Sequence, residues 1–302
     1  MIQTLGNAIK VDDLGLVLMH EHIFNQYPRG YKKESEEFTI EQLERLKKHG
    51  VKTIIDLTPY NNIDLYNSVI ERCDFNIVGC IGFYLSKYIP KEYRNMSENE
   101  LVYKLSKVIE GGTKKYHYKP GILKIASSFN GVGENEKKYF NVVAQLSRSF
   151  EIPIATHSPK GAFEHSIYLQ SLGVNMEKVF LSHAEFNVND ENFETEIYKM
   201  EQIVNSGSYL LFSKFGTSYN GNRYKTSCNV LSHFKDKRKL DRILISSDCN
   251  WKWKNYNAKF QNGNICNYEY VFNYTIPGLI KKGFSDKDIK QIMIINPKKI
   301  FS

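Results

Sequence analysis

Eight short runs of β-branched and aliphatic residues recur along the chain of 302 residues, each followed by a loop and a segment of helical periodicity. This alternation of strand and helix restricts the fold more than any other feature of the sequence. Because the runs are almost entirely apolar, helices must cover both faces of the sheet. The pattern therefore favours a closed (β/α)8 barrel of the α/β class, the TIM barrel, over an open doubly wound sheet. The predicted strands are LVLMH (16–20), VKTIIDLT (51–58), FNIVGCIGF (75–83), GILKIAS (121–127), IPIATH (152–157), KVFLSH (178–183), YLLFSK (209–214) and ILISSD (243–248).

Helical segments fill the intervals between these strands. In TIEQLERLKKHG (39–50), Thr39 is predicted to cap the start of a helix and Gly50 to end it. Similar helices are predicted within 98–112, 134–150 and 189–207, and a final helix begins near residue 285. We expect one domain over residues 1–302, because no linker or low-complexity tract interrupts the pattern.

A formal charge of +8 and a pI near 9.0 raise the question of nucleic-acid binding. The 41 Lys and Arg residues are dispersed, however, and the densest run, KDKRK (235–239), is short and interrupted by Asp236. Since no basic stripe alternates with aromatic residues, nucleic acid is not an expected partner. A non-catalytic basic barrel that binds nucleic acid is kept as a distant alternative.

Cysteine usage and the N-terminal residues bear on the cellular compartment. The five cysteines form an odd set without a CxxC pair, which argues against a disulfide framework and against a thiolate zinc site. The first residues lack a basic region followed by an apolar core, and no apolar run approaches the ~20 residues of a membrane span. These features predict a cytoplasmic protein without a membrane partner.

Polar residues stand at the C-terminal ends of the predicted strands, or within one of them, at five places in the chain. The strand C-termini of such a barrel meet on one face, where active sites are built. His20 and His22 are spaced by two, so an extended chain directs both side chains to the same side. Imidazole and carboxylate groups are common ligands of zinc-like ions, and the set therefore predicts a metal site. Its members are His20, His22, Lys124, His157, His183 and Asp248.

Lys124 is the unusual member of this set, because GILKIAS is otherwise apolar. A buried ammonium beside metal cations is disfavoured by desolvation and by like charge. A neutral amine could instead add carbon dioxide and become a carbamate, whose two oxygens can bridge two metals. The alternative is a lysine whose stem packs in the barrel while its ammonium reaches solvent.

Together these motifs resemble the phosphotriesterase-related branch of the amidohydrolase superfamily over nearly the whole chain. The resemblance lies in GLVLMHEH, GILKIAS, THSP, LSHAE, SSD and the terminal INPKKIF. It implies two divalent metal ions, usually zinc, bridged by a hydroxide and by Lys124 carboxylated with CO2. It also implies that Asp248 takes up the proton of the hydroxide and passes it to the leaving group. Relatives are often dimers, so the resemblance also suggests a homodimer. The implied ligands are His20, His22 and Asp248 for the buried ion, His157 and His183 for the more exposed ion, and Lys124 for both.

The loops after the strands bear on the substrate. Lactonases of this branch commonly carry a tyrosine at the position of Tyr84 in GFYLSKY, so the resemblance favours a small lactone or carboxylic ester. SKFGTS departs from the lactonase pattern Asp-Arg-Tyr-Gly by placing Lys214 where arginine is usual, which suggests a different substrate tail. Trp251 and Trp253 either line an apolar substrate pocket or pack elsewhere. Phosphotriesterase or phosphodiesterase activity is the alternative.

Overall fold

A computed structural model of the protein describes residues 1–23, 33–59, 64–114, 117–128, 131–213, 215, 222–249 and 268–302. Eight parallel strands form one sheet in which each strand pairs with its neighbour in sequence order. The predicted α/β barrel is thereby confirmed. The strands are β1 (Leu16–Glu21), β2 (Val51–Asp56), β3 (Asn76–Gly82), β4 (Ile122–Ala126), β5 (Ile154–His157), β6 (Val179–Ser182), β7 (Tyr209–Phe212) and β8 (Ile243–Ile245).

Helices connect successive strands and surround the sheet, as the right-handed crossover of parallel strands requires. After β8, the described chain ends in helical segments in which π-helical turns (Val271–Thr275 and Gln291–Ile295) adjoin short α-helices. The helices are α1 (Lys33–Leu46), α2 (Asp64–Arg72), α3 (Lys91–Asn95), α4 (Glu98–Gly111), α5 (Glu134–Phe150), α6 (Ala162–Ser171), α7 (Phe193–Asn205), α8 (Asn222–Asp236), α9 (Ile276–Lys281), α10 (Asp286–Lys290) and α11 (Asn296–Phe301).

Two sequence expectations about element ends are corrected. Thr39 does not cap a helix, because α1 begins upstream at Lys33 and Thr39 is buried within it. Gly50 does end this region, in the left-handed conformation (φ +74°) after a 3₁₀ turn. The last strand is shorter than predicted, because the chain leaves the sheet after Ile245 and reaches a left-handed conformation at Asp248 (φ +50°).

Side chains along the strands alternate between two apolar clusters. On β6, Val179 and Leu181 pack into the larger cluster, which contains residues of the surrounding helices, whereas Phe180 belongs to the smaller cluster. The smaller cluster fills the barrel interior, and the period of two along each strand accounts for the alternation. Its inward-facing members include Val78, Ile122, Ala155, Phe180, Leu211 and Leu244.

A polar layer lies directly above this apolar interior. Two residues beyond the apolar inward positions, toward the strand C-termini, the same face carries ionisable or hydroxyl-bearing side chains. On β4, the step leads from Ile122 to Lys124, and on β5 from Ala155 to His157. Because the polar layer is at the C-terminal end, it occupies the mouth of the barrel where TIM-barrel sites form. The other members of this layer are Ser182, Ser213 and Ser246.

The ends of β8 and β1 complete the barrel through the residues that follow β8. The Asp248 N–H donates to the His20 carbonyl oxygen at 3.0 Å, and the His22 N–H donates to the Cys249 carbonyl oxygen at 2.9 Å. The His20 N–H also donates to the Ser246 hydroxyl oxygen at 3.0 Å. We call this junction, made by residues 20–22 and 246–249, the closing seam.

No helix within the described parts of the chain is both long and apolar enough to span a membrane.

His165 on α6 packs between the helix layer and the barrel, as a structural histidine. Its Nε2 lies 2.6 Å from the Ser127 hydroxyl, its ring meets Phe140 edge-on at 4.9 Å, and its buried Nδ1 has no hydrogen-bond partner among the described residues. Burial lowers the pKa of this imidazole from 6.5 to about 3. The ring is therefore neutral in the folded protein near neutral pH.

We predict that His165→Gln makes the free energy of unfolding less sensitive to acid. Because the folded-state pKa lies below the unfolded value of 6.5, the stabilisation by the neutral ring is complete above pH 6.5 and is lost as the pH falls toward 3. Between pH 8 and pH 5 the parent should lose about 2 kcal/mol more than the variant. Urea unfolding of both proteins at the two pH values measures this difference, and an equal loss in both would contradict it.

Candidate metal centre

Three candidate ligands converge at the closing seam. The Nε2 atoms of His20 and His22 lie 3.6 Å and 3.3 Å from Oδ1 of Asp248. One ligand atom from each residue falls within 4.8 Å of the others. The two distances to Oδ1 of Asp248 are close to the ~3.3 Å expected between two ligand atoms that each lie 2.0–2.1 Å from a tetrahedral ion. The geometry and the chemistry of this donor set fit a divalent cation.

A second pair of nitrogens meets at the ends of β5 and β6. Nδ1 of His157 lies 2.9 Å from Nε2 of His183. His183 is buried and left-handed (φ +65°), a conformation that costs a residue with a Cβ about 1 kcal/mol and that often marks functional positions. The rings of His20 and His183 are 4.8 Å apart, so the second pair adjoins the first cluster.

Lys124 connects to the first cluster from inside the barrel. Its side chain is fully buried on β4, and Nζ lies 3.5 Å from Nε2 of His20. Burial and, next in size, the charge of Lys124 hold the pKa of His20 well below its usual value. His20 is therefore a neutral imidazole, which is the form that binds metals. Gly82 allows the neighbouring strand to approach here, because its φ is +128° and a Cβ would overlap the Lys124 carbonyl oxygen.

Hydroxyl groups orient three of the candidate histidine ligands. Each hydroxyl lies within hydrogen-bond distance of an Nδ1 atom, which leaves Nε2 directed into the centre. The pairs, with their Oγ to Nδ1 separations, are His20 with Ser182 at 2.9 Å, His22 with Thr58 at 2.7 Å (through Oγ1) and His183 with Ser213 at 2.7 Å.

Buried carboxylates in turn hold the backbone of these hydroxyl residues. Asp56, at the end of β2, accepts from the Thr58 N–H at 2.8 Å and from the Ile23 N–H at 2.9 Å. Glu185, in the turn after β6, accepts from the Ser213 N–H at 2.7 Å. Both carboxylates thus act on the centre through a residue that contacts a histidine.

Tyr84 stands two residues beyond β3, beside the second nitrogen pair. Its ring meets His157 edge-on at 5.1 Å and stacks on Tyr88 at 5.6 Å. Burial, with a smaller contribution from the charge of Asp248, raises the pKa of its phenol. The hydroxyl is therefore protonated near neutral pH and can act as a hydrogen-bond donor.

The structure brings all six sequence-predicted ligands to one end of the barrel. Lys214, Trp251 and Trp253, predicted as substrate-binding residues, lie outside the described residues. Sequence reasoning missed the hydroxyls of Thr58, Ser182 and Ser213. The alternation of inward positions could have revealed the two serines, since each stands two residues beyond an inward-facing apolar residue.

The barrel and its converging donors define a TIM-barrel protein with the ligand types of metal-dependent hydrolases. The sequence matches the model of the phosphotriesterase family over residues 1–301. The chain belongs to this family and is a metal-dependent hydrolase; membership implies a binuclear metal centre.

Individual relatives are distant but cover the full length of the chain. A phosphotriesterase homology protein of Mycobacterium tuberculosis is 25% identical over 325 residues, covering 99% of this chain and 97% of that one. An aryldialkylphosphatase of Saccharolobus solfataricus is 27% identical over 315 residues, covering 98% of both chains. The crystal structure of a mutant PTE-like lactonase of Deinococcus radiodurans matches with a TM-score of 0.87 at 20% identity, covering 100% of both chains, and shares the fold.

We predict that Ser213→Ala weakens metal binding without a comparable effect on folding. Loss of the hydroxyl frees the His183 ring to rotate, which should lower metal affinity about tenfold or more. Chelator competition measures the affinity. The matched control is Ser232→Ala, which removes a hydroxyl that donates to the Cys228 carbonyl within α8, far from the candidate centre in sequence. Equal affinities in the parent and both variants would mean that the Ser213 hydroxyl does not orient His183.

Proposed function

We propose that the protein hydrolyses a small lactone or carboxylic ester at a binuclear centre in the barrel mouth. The observation that carries the proposal is the convergence of two donor clusters, one formed by His20, His22 and Asp248 and the other by His157 and His183. His20, His22 and Asp248 would hold the buried ion, and the other two histidines the more exposed ion.

Bound divalent ions would make a water molecule acidic enough to attack near neutral pH and would polarise the carbonyl or phosphoryl group. Asp248 would receive the proton of that water at a carboxylate oxygen and deliver it to the leaving oxygen. Its position 3.3 Å from His22 and its near-complete burial keep this carboxylate within the centre.

Lys124 would complete the centre as a carbamate. Its neutral amine adds carbon dioxide at Nζ and releases one proton, which turns a group that repels cations into an anion with two donor oxygens. Full burial of the side chain supports this assignment, because an ammonium beside two divalent ions would lose its contact with bulk water and would be repelled by both ions.

Tyr84 supports the choice of a lactone over a phosphotriester. Its protonated hydroxyl, on a ring packed against His157, can donate to the ring oxygen or carbonyl oxygen of an ester. Solved structures of PTE-like lactonases share the fold. The second candidate is phosphotriester hydrolysis, which is favoured by the relative named aryldialkylphosphatase.

The first test measures metal content and substrate preference on one sample. Protein purified without chelators should contain about two metal ions per chain, and a pH-indicator assay should detect turnover of a lactone panel faster than turnover of paraoxon. Removal of the metal by dialysis against a chelator should abolish activity, and Zn²⁺ should restore it. Turnover of paraoxon alone would favour the phosphotriesterase alternative. Protein that contains no metal and turns over neither substrate class would contradict the proposed centre.

The second test removes individual ligands. His22→Ala should lower kcat/KM by more than about 100-fold, since even partners of metal ligands cost 10- to 100-fold. Lys124→Met keeps an unbranched, flexible side chain that is one heavy atom shorter and cannot form a carbamate, and it should lose metal and activity. The matched control is His233→Ala on α8, where the imidazole pairs with Glu201 at 2.9 Å away from the strands.

Reloading distinguishes the carbamate from a lysine that merely packs. Metal-free parent protein should regain activity faster with Zn²⁺ plus bicarbonate than with Zn²⁺ in buffer depleted of carbon dioxide. Equal rates in both buffers, or a Lys124→Met variant that keeps metal, would contradict the bridging role.

A further inference from the structure

Glu21 stands between two candidate ligands in sequence, yet its carboxylate faces the turn after β8. The side chain is fully buried. Oε1 accepts from the Ser246 hydroxyl at 2.6 Å and from the Ser247 N–H at 2.8 Å, and Oε2 accepts from the Cys249 N–H at 2.8 Å. The two oxygens therefore hold the amides immediately before and after Asp248.

These hydrogen bonds hold a backbone conformation that is uncommon for residues other than glycine. Asp248 has a φ of +50°, in the left-handed region that favours glycine. Its own N–H donates to the His20 carbonyl oxygen at 3.0 Å. The amides of residues 247, 248 and 249 are thus all bonded to β1, two of them through Glu21. These bonds fix the direction in which the Asp248 side chain leaves the backbone.

We propose that Glu21 is a positioning residue that sets Asp248 in register with His20 and His22. It clamps the left-handed turn so that Oδ1 of Asp248 lies 3.6 Å and 3.3 Å from the two Nε2 atoms. Glu21 is not itself a ligand, since both of its oxygens are used by the turn. This inference rests on the proposed metal centre and adds to it the residue that builds its aspartate side.

The three groups that contact the Glu21 side chain all donate hydrogen bonds to it. Both oxygens of a carboxyl group can accept, whereas a carboxamide accepts on its oxygen and its NH2 group only donates. Glu21→Gln therefore keeps the size of the side chain but directs an NH2 group at a backbone N–H or at the Ser246 hydroxyl. The clamp is broken at one end while the cavity stays filled.

A matched control exists elsewhere on the same barrel face. Glu136 on α5 is also buried; its Oε1 accepts from the Ser128 N–H at 2.8 Å, and its Oε2 accepts from the Gly133 N–H at 3.1 Å. It therefore holds two backbone N–H groups through the same chemistry, but neither Ser128 nor Gly133 is a candidate ligand or adjoins one in sequence. Glu136→Gln reports the general cost of a broken carboxylate clamp.

The experiment reconstitutes the metal-free parent and both variants with Co²⁺ and records three quantities: the visible absorption spectrum, the affinity by chelator competition, and the free energy of unfolding without metal. Glu21→Gln should shift the spectrum and bind at least one ion about tenfold or more weakly. Glu136→Gln should lose stability but keep the parent's spectrum and affinity. A merely structural role for Glu21 would change stability alone.

The outcomes separate this inference from the proposed function. A parent that binds no Co²⁺ contradicts the metal centre itself. A parent that binds Co²⁺ while Glu21→Gln matches it in spectrum and affinity overturns the positioning role and leaves the centre intact. If Glu21→Gln does not fold, Ser246→Ala removes one donor from the clamp, and it should weaken Co²⁺ binding in the same direction. An unchanged affinity in Ser246→Ala would then overturn the inference.

Discussion

The closing seam between β8 and β1 is the interaction on which both the barrel and its centre depend. Strand β8 has only three residues, so the residues after it, which carry Asp248, must make the remaining contacts with β1. The bonds that close the barrel are therefore the bonds that bring Asp248 to His20 and His22. A TIM barrel tolerates changes in its loops because the loops do not take part in closing the barrel. In this protein, the hydrogen bonds that close the barrel also set the geometry of the site. A substitution that loosens the seam is expected to affect both.

The polar layer in the barrel mouth is stable because its members satisfy one another. A buried imidazole or carboxylate without a partner would cost several kcal/mol, and each histidine of the seam instead has a hydroxyl at Nδ1. Burial and the charge of Lys124 favour the neutral form of His20, and a neutral imidazole has one ring nitrogen without a proton that can bind a metal. Lys124 differs from the other members of the layer, because it places a buried amine beside the imidazoles. Conversion to a carbamate would give that cluster the anion that two divalent ions require.

Much of this arrangement could be predicted because it follows from the period of two along strands. The repeated alternation of strands and helices predicts the order of the strands. The period of two along each strand predicts the inward positions of Lys124 and His157. The predicted start of α1 was wrong because Thr39 is a residue type that often caps helices, while the upstream segment KESEEF also favours helix and extends it. The hydroxyl partners were missed for another reason. Thr58 contacts His22 across a strand boundary, and no pattern within either strand encodes that pairing.

In the proposed function, different parts of the chain determine the chemistry and the substrate specificity. The candidate ligands lie on strands or directly at their ends, where two neighbouring strands fix each position, and the same centre suits a carbonyl or a phosphoryl group. Tyr84 lies beyond β3 and is held by contacts with His157 and Tyr88. Because burial keeps its hydroxyl protonated, it would add no negative charge beside bound ions and would not compete as a phenolate ligand. In the proposed function, its contribution is a single hydrogen bond donated beside His157, a position from which it would distinguish a flat ester from a tetrahedral phosphotriester.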